Sequence, residues 1–190
     1  MSWYDLYLVY LTVLHEFQAH LQNISVVAII ISFSVSLIII LFIDYFVFKK
    51  IYITHEIVSS LYITFLLSLT VLGRYPNVSS SVDTLFITYV QAGDGNEGAR
   101  YAILLNIILF VPLGILITRY LRESKFAVAV LFLLPLAIEL AQLITTRGVF
   151  EISDIINNFI GGMIGLGTAY LVVSLYRYIK NVYIATKKKG

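Results

Sequence analysis

The chain has 190 residues, of which 59% are hydrophobic and only 13% charged, and its mean hydropathy is +0.91. Soluble domains carry roughly 25% charged residues, so the composition excludes an ordinary water-soluble domain, and a net charge of +2 is too small to argue for nucleic acid. The absence of cysteine removes disulfides, thiol catalysis and thiolate metal sites.

The first 25 residues are apolar but short. Asp5 and the pair His15–Glu16 bracket a core too short to span, and Trp3, Tyr4, Tyr7 and Tyr10 suit the headgroup boundary. The expectation is an interfacial or re-entrant helix, with a sixth span as the alternative. A crossing helix needs about 20 mostly apolar residues. Five segments meet that test: 26–48, 51–72, 101–120, 126–144 and 155–178. Asp44 lies near the end of the first, and His55 with Glu56 near one end of the second, where they are expected to reach the interface. The fold class expected is all-α, a polytopic transmembrane bundle of about five spans. Its parts are an N-terminal interfacial helix (1–25), the transmembrane bundle (26–180, with the motifs in 100–167) and a basic tail (181–190).

Orientation follows from Lys and Arg in the short loops. Lys49, Lys50, Arg119, Arg122, Lys125, Arg177, Lys180 and Lys187 to Lys189 fall on one side, ten of the thirteen. Arg74, Arg100 and Arg147 fall on the other. Five spans then put the N-terminus outside and the C-terminus in the cytoplasm.

In that topology the polar residues of the last three spans converge. Glu139 and Gln142 are i, i+3 neighbours in the outer turns of the fourth span. Arg147 to Ser153 form the outer loop, and the fifth span begins at Asp154. Asn106 sits roughly 9 Å below Arg100 on the third. Asp154, Asn157 or Asn158, Gly161 and Gly165 form one helical stripe, and Ser153 or Asp154 is placed to cap the fifth helix. Gly161-x-x-x-Gly165, continued by Ala169, permits close helix approach, and Pro112 predicts a kink. The bland reading is that Arg147 neutralises Glu139 or Asp154 and the amides only bridge helices, each contact worth about 1 kcal/mol or less. Against it, ionisable groups inside a membrane cost several kcal/mol and usually mark a site.

Other features carry less. His15, His20 and His55 show no paired ligand spacing, so no metal and no cofactor is expected. The terminal Lys187–Lys189 run reads as a topogenic, headgroup-contacting tail. Residues 73–99 have the Gly, Asp, Asn and Ser content of a flexible outer loop, suited to a lid.

The run from Arg100 to Gly114, R-x5-N-x3-F-x-P-x-G, and the run from Glu139 to Gly165, E-x2-Q…R…D-x3-N-x2-G-G-x2-G, resemble the VanZ-like family of bacterial membrane proteins. Asn106, Phe110, Pro112 and Gly114 match the first block; Glu139, Gln142, Arg147, Asp154, Asn158, Gly161 and Gly162 match the second. Ser153 stands where a second acidic residue is common. The resemblance implies a bacterial plasma-membrane protein acting at the cell envelope in glycopeptide, teicoplanin-type resistance, and implies no particular reaction.

Two functions are therefore expected to compete. One is a non-catalytic protein that binds a lipid, a lipid-linked cell-wall precursor or a lipoglycopeptide at the outer leaflet. Arg100 and Arg147 would hold a phosphate or carboxylate, with Asn106, Glu139, Gln142, Asp154 and Asn158 beside them. Pro112, Gly114, Gly161, Gly162 and Gly165 would serve helix packing. The alternative is an intramembrane enzyme on a polyprenyl- or lipid-linked envelope precursor. There Glu139 and Asp154 would be acid and base, with Arg147 stabilising negative charge. A transporter or scaffold is the remaining class, and the lack of an internal repeat argues against a typical secondary transporter. The oligomeric state is left open.

Overall fold

The computed structural model describes residues 24–49, 51–74, 82–83, 86–118 and 124–187, together with Tyr7 and Leu11. The interfacial or re-entrant helix expected in residues 1–25 lies almost wholly outside the described residues. In chain order the helices are α1 (Val26–Ile43), α2 (Ile53–Leu67), α3 (Ile87–Gly93), α4 (Glu97–Leu116), α5 (Ser124–Ile144) and α6 (Ile152–Lys187). Two-residue strands β1 (Val82–Asp83) and β2 (Phe150–Glu151) pair in parallel, Val82 opposite Phe150 and Asp83 opposite Glu151.

Hydrocarbon offers backbone groups no partner, so a spanning segment must satisfy its own hydrogen bonds as a helix. Five helical segments are long and apolar enough to cross: Val26–Phe46, Ile53–Leu72, Glu97–Leu116, Lys125–Ile144 and Ile152–Ile184. Among the described residues the fold is all-α, with five helices able to cross a membrane. Several boundaries differ from expectation, among them the starts of the third and fifth spans. The third span starts earlier because the Asn96 side chain accepts from the Ala99 N–H at 3.2 Å, a helix N-cap inside a stretch that reads as loop. The fifth begins at Ile152, so Ser153 and Asp154 lie within its first turn. Asp154 still stands where the helix dipole favours a carboxylate.

The chain folds as two compact units. The first comprises Met1–Thr84 and Ala137–Glu151; the second comprises Leu85–Leu136 and Ile152–Gly190. In the first, α1 packs on α2 along a polar seam in which Ser36 donates to the Ser60 carbonyl at 3.4 Å. Ser60 and Thr64 turn their hydroxyls back onto Glu56 O and Ser60 O of their own helix. Asp44 and Glu56 are fully buried. Glu56 is therefore turned into the protein and not exposed at the span end. Its carboxylate accepts from the Tyr52 N–H at 2.6 Å and so satisfies a donor at the start of α2. Helix α2 ends in a π-helical turn, Ser68–Leu72.

In the second unit α4 and α6 nearly touch. A Cβ on Gly161 would collide with the Ile107 carbonyl, one on Gly165 with the Val111 carbonyl, and one on Gly114 with the Gly162 carbonyl. The Ile107–Gly161 and Val111–Gly165 contacts climb together along the two helices, so α4 and α6 run parallel. Gly162 receives Leu131 of α5, whose Cδ2 is 2.7 Å from where a Cβ would stand. Helix α4 continues through Pro112, and Phe110, Leu113, Ala127 and Leu131 are buried apolar side chains of this unit.

Candidate functional site

The polar residues singled out in the sequence divide between the two units. Glu139, Gln142 and Arg147 belong to the first; Arg100, Asn106, Asp154 and Asn158 belong to the second.

In the first unit these residues close the end of α2. The last carbonyls of any helix lack intrahelical partners, and near hydrocarbon such orphans are costly. Arg147 supplies what is missing: its Nη1 donates to Leu72 O at 2.7 Å, Arg74 O at 3.3 Å and Val71 O at 3.5 Å. Gln142, 2% exposed, donates through Nε2 to Thr70 O at 3.1 Å and accepts from Arg74 Nη1 at 3.4 Å. The guanidinium of Arg147 is thus given to carbonyls and not to a carboxylate, which corrects the expectation that it neutralises Glu139. Glu139, 1% exposed, accepts from the Glu151 N–H at 3.0 Å and so fixes the segment that enters α6.

Arg147 is aimed by the turn that ends α5. Its own N–H bonds Gln142 O at 2.9 Å and the Thr146 N–H bonds Leu143 O at 3.3 Å, with Thr146 at φ +53°. This is a Schellman stop with threonine in the left-handed position that glycine normally takes. A β-branched residue is strained there. Thr146→Gly is expected to stabilise the protein by about 1 kcal/mol, read as a melting temperature a few degrees higher in detergent. Gly148 follows for a steric reason, since a Cβ there would stand 2.8 Å from Gln142 Oε1 and 2.9 Å from Arg74 Nη1.

In the second unit the first turns of α6 carry Asp154, Asn157 and Asn158. Asn157 is 1% and Asn158 3% exposed. Tyr89, on the short helix α3, donates its hydroxyl to Asn157 Oδ1 at 2.6 Å. The other end of that amide, Nδ2, has no partner among the described residues, and neither does Asn158 Oδ1. Partial burial, and next the negative charge of Asp154, hold the Tyr89 phenol above its ordinary pKa of 10.0, partly opposed by the bond to Asn157. The hydroxyl therefore stays a donor at neutral pH. Arg100 is exposed and spent locally, on Glu97 Oε1 at 2.9 Å and Ala92 O at 2.9 Å. Asn106 is half-buried on α4, next to the Ile107 carbonyl that faces Gly161.

Tyr89, Arg74, Thr70 and Gly148 were not signalled by any motif. Tyr89 reads in sequence as one more aromatic of an outer loop, and the Thr70 contact is made by a backbone carbonyl.

A family model described as VanZ/LLP1 matches residues 3–173. Protein VanZ of Enterococcus faecium is 36% identical over 63 residues, covering 32% of this chain and 39% of that protein. The similarity thus spans well under half the length of that relative. No solved structure matches the chain. With one family model covering nearly its whole length and five helices able to span a bilayer, the chain belongs to the VanZ/LLP1 family of multi-pass membrane proteins.

Proposed function

We propose that this VanZ-like protein resides in the bacterial plasma membrane and binds the polar head of a lipid-anchored envelope molecule at the outer leaflet. The class is a lipid, a lipid-linked cell-wall precursor or a lipoglycopeptide, and the consequence is teicoplanin-type glycopeptide resistance. One observation carries the reading: the buried, unpartnered Asn157 Nδ2 and Asn158 Oδ1. Burying an amide group without a partner costs about 1–3 kcal/mol, and native proteins leave few such groups without reason. Asn157 is left with a free donor and Asn158 with a free acceptor, the kinds of group a sugar hydroxyl or a peptide amide would engage. Being neutral, they avoid the much larger penalty of a bare charge. Arg147 and Gln142, by contrast, have their hydrogen bonds engaged in closing α2, so the ligand contacts move to the start of α6.

The test is a proteoliposome incubated with a labelled polyprenyl-diphosphate-linked disaccharide peptide. Saturable retention with the label recovered unchanged supports binding. A chemically altered product would support the enzyme alternative with Glu139 and Asp154 as acid and base.

The orientation, N-terminus outside and C-terminus cytoplasmic, rests on the ten-to-three split of Lys and Arg. The parallel course of α4 and α6 supports the alternation, since the third and fifth spans must start on the same side. An impermeant thiol reagent on intact cells is expected to label a cysteine placed at Ser80 and to spare one at Lys188; the opposite pattern overturns the outer-leaflet reading.

A further inference from the structure

Helix α6 has 36 residues, about 54 Å at 1.5 Å per residue, against a hydrocarbon core of about 30 Å. Its two halves are unlike. Between Ile152 and Ala169 it buries Ser153, Ile155, Asn157, Asn158, Leu166 and Ala169. From Tyr170 to Lys187 no described side chain is buried. The change falls where the partner helix stops: the register that sets Gly161 on Ile107 and Gly165 on Val111 brings Leu116, the last residue of α4, level with Tyr170. Residues 171–187 therefore continue past the end of α4 by about 26 Å.

That continuation is amphipathic. At 100° per residue Leu175, Tyr178, Ile179, Val182 and Tyr183 fall on one arc, and Arg177, Lys180, Asn181 and Lys187 on the opposite one, which also carries Val173 and Ile184. The apolar arc is open along its length, with Leu175 59%, Ile179 57% and Tyr183 65% exposed. No acidic residue occurs after Asp154. A second copy laid along this arm would set cation against cation with nothing to answer them. An anionic surface would receive the apolar arc and the basic arc together.

We infer that residues 171–187 of α6 form an amphipathic arm that docks on the anionic phospholipid surface of the leaflet at which α4 ends. The apolar arc enters the headgroup boundary, where tyrosine rings sit well, and Arg177, Lys180 and Lys187 reach lipid phosphates by snorkelling. Docking requires α6, one continuous helix from Ile152 to Lys187, to tilt or bend beyond Tyr170. This inference is independent of the ligand contacts proposed at the start of α6.

Because the chain has no cysteine, an environment-sensitive fluorophore can be attached at Ile179→Cys in the full-length protein. The labelled protein is placed in nanodiscs of phosphatidylcholine alone or of phosphatidylcholine mixed with phosphatidylglycerol. The expected result is a blue-shifted emission in the anionic discs, reversed by raising salt as screening shortens the reach of the charges. Arg177→Gln combined with Lys180→Gln should reduce the shift while the protein still reconstitutes. Water-like emission in both compositions would overturn the inference. So would a blue shift that is insensitive to lipid charge, or one that appears only at high protein-to-disc ratio, the mark of a second copy on the arm.

Discussion

Gly165→Leu is expected to lower the melting temperature of the detergent-solubilised protein by several degrees, with Gly161→Leu doing the same. A Cβ on either glycine would run into a main-chain carbonyl of α4, Val111 O or Ile107 O, and a carbonyl cannot step aside as a side-chain tip can. Overpacking of this kind costs roughly 1–3 kcal/mol where the neighbour yields, and more when two backbones must separate. For a chain of this size each kcal/mol moves the midpoint by about 2–4 °C. Gly167 is the internal control. It lies on the same helix with open space around it, so Gly167→Ala should be neutral or stabilising by up to about 1 kcal/mol through helix propensity. Equal effects at Gly165 and Gly167 would mean that the α4–α6 contact is not where the packing energy lies.

Arg147→Ala should also destabilise, by about 2–3 kcal/mol, because it strips the charged donor from the carbonyls of Val71, Leu72 and Arg74 and leaves them near hydrocarbon. Arg147→Lys should recover part of this, since an ammonium can reach one carbonyl but lacks the planar fork. The informative comparison is a cycle with Glu139→Gln. If the arginine were there to neutralise Glu139, the doubly neutral variant would be rescued. The contacts of Arg147 predict instead that the two losses add to within about 0.5 kcal/mol. Thermal melts of the four proteins in one detergent decide the matter.

The spans were readable from hydropathy because crossing a membrane demands long apolar helices and little else. The glycine pattern 161-x-x-x-165 was readable for a similar reason: a missing side chain on a lipid-soluble helix permits close approach. The partner helix was not readable, because Ile107 and Val111 take part through their carbonyls and any residue could stand there. The polar set was legible as a list but not as an arrangement. Arg147 and Gln142 find backbone oxygens at Thr70 to Arg74, and a backbone acceptor leaves no mark in the sequence. Glu56 looks like an interface residue from its place near a span end. Yet burial is set by the neighbouring helix, and a carboxylate can turn inward to cap the first turn of its own helix, as Glu56 does. The long α6 was cut short at both ends in the sequence reading. Ser153, Asp154, Arg177 and Lys180 resemble boundary residues, whereas helix geometry tolerates them once the chain has left the hydrocarbon.

The functional account turns on Asn158, whose buried Oδ1 makes no hydrogen bond within the described residues. Leucine has nearly its shape and no polar group, so Asn158→Leu removes an unpaired buried amide and should leave stability unchanged or raised. In a strain whose teicoplanin tolerance depends on this protein, the account predicts that the Asn158→Leu variant reaches normal abundance in the membrane and melts no lower than the parent, yet loses protection. Full protection from that variant at equal abundance would contradict the proposal that the start of α6 binds the ligand.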